Sequence, residues 1–265
     1  MNRQPTSLLR LPGGVRLEYL STGTGSPVTL FLPGLGGGIP DTRVLGSGVP
    51  GTKVFLQLRG HGRSSAPGVS WRYADLADDV AAAADAVGAS RALGVSMGAG
   101  ALCRLVASEP DRFDRLVCFL PAVLDAPRPG PVLARIRALA SALASGSREA
   151  VADVVSAEVP EAFRGTSAAR SYLRQRVSTL LDGGLAGPVS SLADGVAVDD
   201  VMALRGVPAP VLVLACRGDE LHPVEVAERL AAVLPNASLH VYDEPGVLWT
   251  HRADLRARIS GFLAA

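Results

Sequence analysis

The chain has 265 residues, 48% of them hydrophobic and 19% charged, and a formal net charge of +1. That length suffices for one large domain with a substantial core and an inserted subdomain. The near-neutral balance argues against a nucleic-acid or anionic-membrane partner.

Three cysteines, Cys103, Cys118 and Cys216, show no metal-like spacing. Each lies in an apolar stretch and reads as a small buried hydrophobe in a reducing compartment. Residues 1–7 lead into no long apolar segment, and no run approaches the ~18 residues of a membrane span. The expectation is a cytoplasmic protein.

Residues 15–19 alternate apolar and polar, as a half-exposed strand does. Residues 28–32 form a short apolar run stopped by Pro33-Gly34, and 53–58 form another, stopped by Arg59-Gly60. Over residues 71–87, Tyr73, Leu76, Val80, Ala83 and Val87 fall at three- and four-residue steps, which predicts a helix. Strands follow at 92–95 and 115–120. From 125 to about 207 no strand is legible. Helix-like stretches at 132–145, 148–159 and 168–181 are joined by glycine and proline instead. The run 211–216 is almost wholly apolar, the mark of a central parallel strand buried on both faces. A helix at 223–234, a strand at 238–242 and a helix at 252–263 complete the chain.

This alternation predicts an α/β fold, a mostly parallel central sheet flanked by helices. Residues 1–125 and 208–265 form its core. Residues 126–207 form an all-helical insertion, a lid above the carboxyl ends of the strands, where open sheets bind ligands.

The segment Gly94-Val95-Ser96-Met97-Gly98 joins a strand to a helix. Glycines on either side relieve crowding in a tight turn and leave Ser96 proud of the sheet. The helix start offers N–H groups and positive dipole to an oxyanion formed there. A serine hydroxyl needs a base to take its proton, and the base needs a third group to orient it.

The four histidines divide by context. His251 lies in a loop after the last strand, immediately before the final helix, and is the expected base. His61, in Arg59-Gly60-His61-Gly62, reads as a residue that pins its own loop. His240 alternates within a strand. His222 neighbours the candidate acid, and one loop placing both acid and base is the less favoured arrangement. Asp219, after the apolar run 211–216, is the expected acid, with Glu220 and Asp125 as rivals and a turn-capping aspartate as the bland alternative.

Pro33-Gly34-Leu35-Gly36-Gly37-Gly38 follows the strand at 28–32. It lacks the Gly-Lys-Ser/Thr of a phosphate loop and fits a dinucleotide fingerprint poorly. The expected oxyanion donors are the N–H groups of Leu35 and Met97, each worth on the order of 3 kcal/mol. Gly34, Gly36 and Trp249 are the expected substrate contacts, although Trp249 suits packing on the final helix as well. The insertion holds nine arginines against eight acids, with Phe163 and Tyr172 as its aromatics, which suggests an aliphatic-lined pocket. Arg170 and Arg174 share a helical face and read as solvated.

On these residues the chain resembles an α/β-hydrolase with a helical lid, over most of its length. The order Ser96, Asp219, His251 matches the nucleophile–acid–base order of that family. The stretch Leu58-Arg59-Gly60-His61-Gly62-Arg63-Ser64 is similar to the family's loop after its fourth strand. Pro33-Gly34-Leu35 takes the place of the His-Gly-x oxyanion motif. Pro33 replaces the usual histidine, and Gln57 stands where an aspartate is frequent. A backbone donor survives the first change.

A serine at the elbow, rather than the aspartate of the family's dehalogenases and epoxide hydrolases, implies acyl transfer through a serine ester. The resemblance thus implies hydrolysis of a carboxylic ester or lactone of a small, mostly apolar molecule. Thioester hydrolysis and C–C cleavage use the same three residues, and a non-catalytic ligand-binding protein is the rival of another class. No cofactor and no metal are implied. The expected partner is the small-molecule substrate, without nucleic acid or membrane, and a homo-oligomer stays open.

Overall fold

The computed structural model describes residues 5–66 and 70–265, so Met1 to Gln4 of the amino-terminal segment read above lie outside it. Six strands run parallel: β3 (Val28–Leu32), β4 (Thr52–Leu56), β5 (Arg91–Val95), β6 (Arg115–Phe119), β7 (Val211–Cys216) and β8 (Ala237–Tyr242). Two antiparallel strands, β1 (Ser7–Arg10) and β2 (Arg16–Thr22), extend one edge. The sheet order is β1-β2-β4-β3-β5-β6-β7-β8.

The strand sequences explain why both faces are covered. In β3, Leu30 and Leu32 join one apolar layer while Phe31, between them, joins the other. The first layer is completed by helices α2 (Tyr73–Val87), α3 (Met97–Ser108) and α8 (Val224–Val233). The second is completed by α1 (Ile39–Arg43) and α10 (Arg252–Ala264), which contributes Leu255, Ile259 and Leu263. Each of these large side chains gains about 2 kcal/mol from leaving water.

All six residues of β7 are buried, as its sequence predicts. Its position differs from the expectation: β7 is second from the edge, shielded by helices on both faces and by β8 beyond it.

Between β6 and β7 the chain forms α4 (Gly130–Ser145), α5 (Arg148–Ser156), α6 (Ser167–Asp182) and α7 (Ala186–Asp194), with 3-10 turns at Glu161–Phe163 and Val201–Gly206. Hydroxyl caps start two of these helices. Ser147 accepts the N–H of Ala150 and Thr166 that of Ala169, both at 3.1 Å. Helix α7 and the short α1 were not legible in the sequence. Neither carries a long apolar period.

The parallel strands all end on one side of the sheet. The chain passes from β3 outward to β4, then returns to the other side of β3 as β5. At such a reversal the two outgoing loops diverge and leave a crevice. The loops concerned hold Gly34 and Ser96.

Candidate active site

Ser96 sits between β5 and α3 with φ 50° and ψ −108°, a conformation that non-glycine residues rarely hold. The turn is enforced by close backbone approach. A Cβ on Gly94 would lie 2.5 Å from the carbonyl of Gly98, and one on Gly98 would lie 2.7 Å from the Leu32 carbonyl oxygen. Backbone bonds complete the hold: Ser96 N–H donates to Phe119 (2.9 Å) and its carbonyl accepts from Gly100 (3.0 Å).

His222 Nε2 lies 2.9 Å from Ser96 Oγ, and His222 Nδ1 lies 2.9 Å from Asp219 Oδ2. With the proton on Nδ1 donated to the carboxylate, the Nε2 lone pair accepts the serine hydroxyl. The turn that arranges this is built by Asp219 itself. Its Oδ1 accepts the N–H groups of Leu221 (2.9 Å) and His222 (3.2 Å), which folds residue 222 back over residue 219. Pro223 then leads directly into α8.

Burial raises the Asp219 carboxyl, yet the bond and charge of His222 and the two backbone N–H groups outweigh it, and the group stays below the ordinary carboxylate value. Cys216 Sγ lies 4.0 Å from Oδ2, its thiol pushed up to about 12 by burial and by the Asp219 charge. It stays neutral beside the acid.

His251 departs from the expectation that it reaches Ser96. After β8 the chain winds through one extra helical turn, α9 (Val247–Thr250), and His251 caps that turn by donating its N–H to Val247 (2.9 Å). Its ring bonds Thr250 Oγ1 at 2.7 Å and packs on Tyr242, 5.2 Å between centroids. The structure therefore puts His222, not His251, on the serine. The spacing Asp-x-x-His was the available signal, because an aspartate that caps its own turn brings residue i+3 beside it.

The other candidates have partners elsewhere. Asp125 forms an ion pair with Arg229, and Glu220 bonds Arg135 at 3.1 Å. His240 stacks edge-on against Tyr242. Trp249 packs on Phe163 (5.7 Å) and edge-on to Tyr172 (5.6 Å), so it meets the helical insertion. Arg170 bonds the Gly165 carbonyl at 2.8 Å.

On the other wall of the crevice, a Cβ at Gly34 would lie 3.3 Å from Ser96 Cβ and 3.9 Å from Oγ, so this backbone borders Ser96 directly. Gly34 O accepts Gly37 N–H at 3.0 Å, closing a turn over Leu35 and Gly36. Among the described residues, the N–H groups of Leu35 and Met97 have no hydrogen-bond acceptor. Gly36 was expected at the ligand, but its N–H is taken by His61 Nε2 at 2.8 Å. His61 Nδ1 in turn reaches the Arg59 carbonyl at 2.8 Å, and Arg59 is gripped by both oxygens of Asp79.

The sequence pattern of the Alpha/beta hydrolase family matches residues 29–258. No curated protein matches the sequence as a relative. The fold is similar to that of an esterase from Exiguobacterium antarcticum (TM-score 0.82, 17% identity, 98% of this chain and 99% of that one). It is also similar to an enol-lactonase from Burkholderia xenovorans (0.79, 21%, 98% and 100%) and to a meta-cleavage product hydrolase from Pseudomonas fluorescens (0.79, 18%, 97% and 96%). Identities this low speak for the fold. The sequence match, which spans β3 to α10 and includes Ser96, Asp219 and His222, goes further: the chain belongs to the alpha/beta hydrolase family.

Proposed function

We propose that the protein is a serine hydrolase that cleaves a carboxylic ester or lactone of a small, mostly apolar molecule through an acyl-enzyme at Ser96. The observation that carries this reading is the continuous hydrogen-bonded line Asp219–His222–Ser96. Family membership and the esterase and lactonase names among the similar folds support it.

In this reading His222 Nε2 takes the Ser96 proton as Oγ attacks the carbonyl carbon. Asp219 holds the imidazole in the required tautomer and balances its new charge. The N–H groups of Met97 and Leu35 receive the oxyanion. Collapse of the tetrahedral species passes the proton from Nε2 to the departing alkoxide. Water, deprotonated by the same nitrogen, then releases the acid and restores Ser96. Residues 126–207 act as the lid, with Trp249 as part of its seat on the core.

The test is labelling with a fluorophosphonate, followed by peptide mapping and hydrolysis of p-nitrophenyl esters. The adduct is expected on Ser96 and absent in Ser96→Ala. His222→Ala and Asp219→Asn are expected to lower kcat/KM severely, the former by on the order of 10⁴-fold or more. His251→Ala and Asp125→Asn are expected to stay within a few-fold of wild type. Unlabelled Ser96 in folded protein refutes the reading, and a severe loss in His251→Ala reassigns the base.

A further inference from the structure

One peptide unit of the turn beside Ser96 is held at both ends by side chains from distant parts of the chain. The peptide joining Leu35 to Gly36 donates its N–H to His61 Nε2 at 2.8 Å, and its carbonyl accepts from Arg176 Nη1 on α6. The turn is closed by Gly37 N–H on Gly34 O. Gly36 has φ +65°, whereas Leu35 is not left-handed, which is the type II form. Types I and II differ in the orientation of that central peptide. The two side chains thus hold the one torsional freedom that separates the alternatives.

Each partner is itself fixed. Because His61 Nδ1 donates to the Arg59 carbonyl, Nε2 presents a bare lone pair. A flipped peptide would aim its carbonyl at that lone pair and its N–H at a guanidinium. Arg176 is clamped by Glu158 through Nε and Nη2, both at 2.9 Å, and Tyr172 Oη donates to the same carboxylate at 2.7 Å. That leaves Nη1 for Leu35. Burial alone would strip the charge from both partners. Their mutual attraction reverses this, keeping Glu158 below and Arg176 above their ordinary values. Helix α6 also presses on the turn sterically: a Cβ on Gly36 would lie 2.4 Å from Arg176 Nη1 and 2.4 Å from Leu180 Cδ2.

We infer that Arg176 and His61 are positioning residues for the turn that carries the oxyanion donor on Leu35. They hold the 35–36 peptide, which joins the 34–35 peptide bearing that N–H at Cα of Leu35, and Arg176 makes the geometry of the turn depend on the seating of α6. The inference rests on the serine-hydrolase reading. Helix α6 belongs to the insertion, His61 to the loop after β4. The turn that carries Leu35 N–H is therefore fully ordered only while the insertion is docked. An oxyanion donor works by being aimed before charge develops, so a loosened turn weakens turnover more than substrate binding.

The test compares Arg176→Met combined with Glu158→Gln, which leaves no lone buried carboxylate, with His61→Asn and His61→Gln. The Gln amide oxygen reaches the place of Nε2 and the Asn oxygen does not. Expected for the double variant and His61→Asn is a fall of about 10- to 100-fold in kcat on p-nitrophenyl butyrate, with KM within about threefold. Affinity for a trifluoromethyl ketone, whose hemiketal oxygen sits where the oxyanion forms, should fall in parallel. His61→Gln should recover most of the loss. Wild-type kcat in both the double variant and His61→Asn overturns the inference, as does a change confined to KM.

Should the variants not fold, ¹⁵N-labelled wild type supplies the measurement. A through-bond coupling between Gly36 N and His61 Nε2 is expected, and its absence overturns the clamp. Failure of wild-type Ser96 to label refutes the serine-hydrolase reading itself. Labelling with unchanged clamp variants removes this inference alone.

Discussion

His61 shows how a buried residue acts through its neutral form. Burial pushes its pKa from 6.5 down to about 4, against the Arg59 carbonyl, which favours the proton. The unfolded imidazole gains a proton near pH 6.5, the folded one only near 4. Within that window the unfolded state binds more protons, so stability falls as pH falls, by about 3 kcal/mol across the whole interval. Asp219 and Glu158 act in a lower range, which meets that of His61 only toward pH 4. Both are held below their ordinary values of 3.8 and 4.5, so what they contribute is present above those values and is lost as pH drops further. Urea midpoints measured from pH 7 to 4 should decline in the wild type and flatten in His61→Gln. An equal decline in both proteins assigns the loss to another group.

Elements impose constraints that single residues do not reveal. The elbow depends on the end of β3 pressing against the first turn of α3. Gly98→Ala puts a methyl 2.7 Å from Leu32 O and 2.9 Å from Pro33 O, so backbone rather than a flexible side chain must shift to admit it. A loss of about 1–3 kcal/mol in the denaturation midpoint is expected, with Ser96 displaced and labelling slowed. An unchanged midpoint would show that β3 gives way.

The same scale explains what was legible beforehand. The apolar runs of β3 and β7 stood out because a strand covered on both faces admits few polar residues: Thr29 is the one in β3, and β7 has none. The Gly-x-Ser-x-Gly turn stood out because only glycine fits there. His222 did not stand out, since its placement depends on Asp219 capping its own turn. His251 misled because the single turn of α9, four residues long, leaves no periodic trace and yet turns the ring toward Tyr242. Helix α7 escaped because its packing against α4 is tertiary.

Across the whole molecule, the contacts between the insertion and the core include Arg176 on the turn at Leu35, the Trp249 cluster, the Arg135–Glu220 pair and Arg128. The guanidinium of Arg128, in a residue only 8% exposed, bonds the carbonyls of Leu192 (2.6 Å), Ala193 (3.0 Å) and Gly195 (2.9 Å) and the hydroxyl of Tyr73 (3.2 Å). Arg128→Met leaves those buried carbonyls without a donor, a loss of about 2–3 kcal/mol. Amide exchange should quicken in α7 and α4 while the central strands stay protected. Uniform quickening would mean that insertion and core unfold as one unit. Among the described residues no helix is long and apolar enough to cross a membrane.

The four-residue turn 219–222 carries both the carboxylate and the imidazole, three positions apart, so their separation is set by local covalent geometry. An error in packing β8 against β7 shifts neither relative to the other. In the serine-hydrolase reading, the carboxyl-terminal edge of the sheet, from β8 through α9 to α10, is thereby released from the proton path. Outside Trp249 and the buried Leu255, Ile259 and Leu263, it is the stretch where residues can be exchanged while Asp219 and His222 keep their alignment.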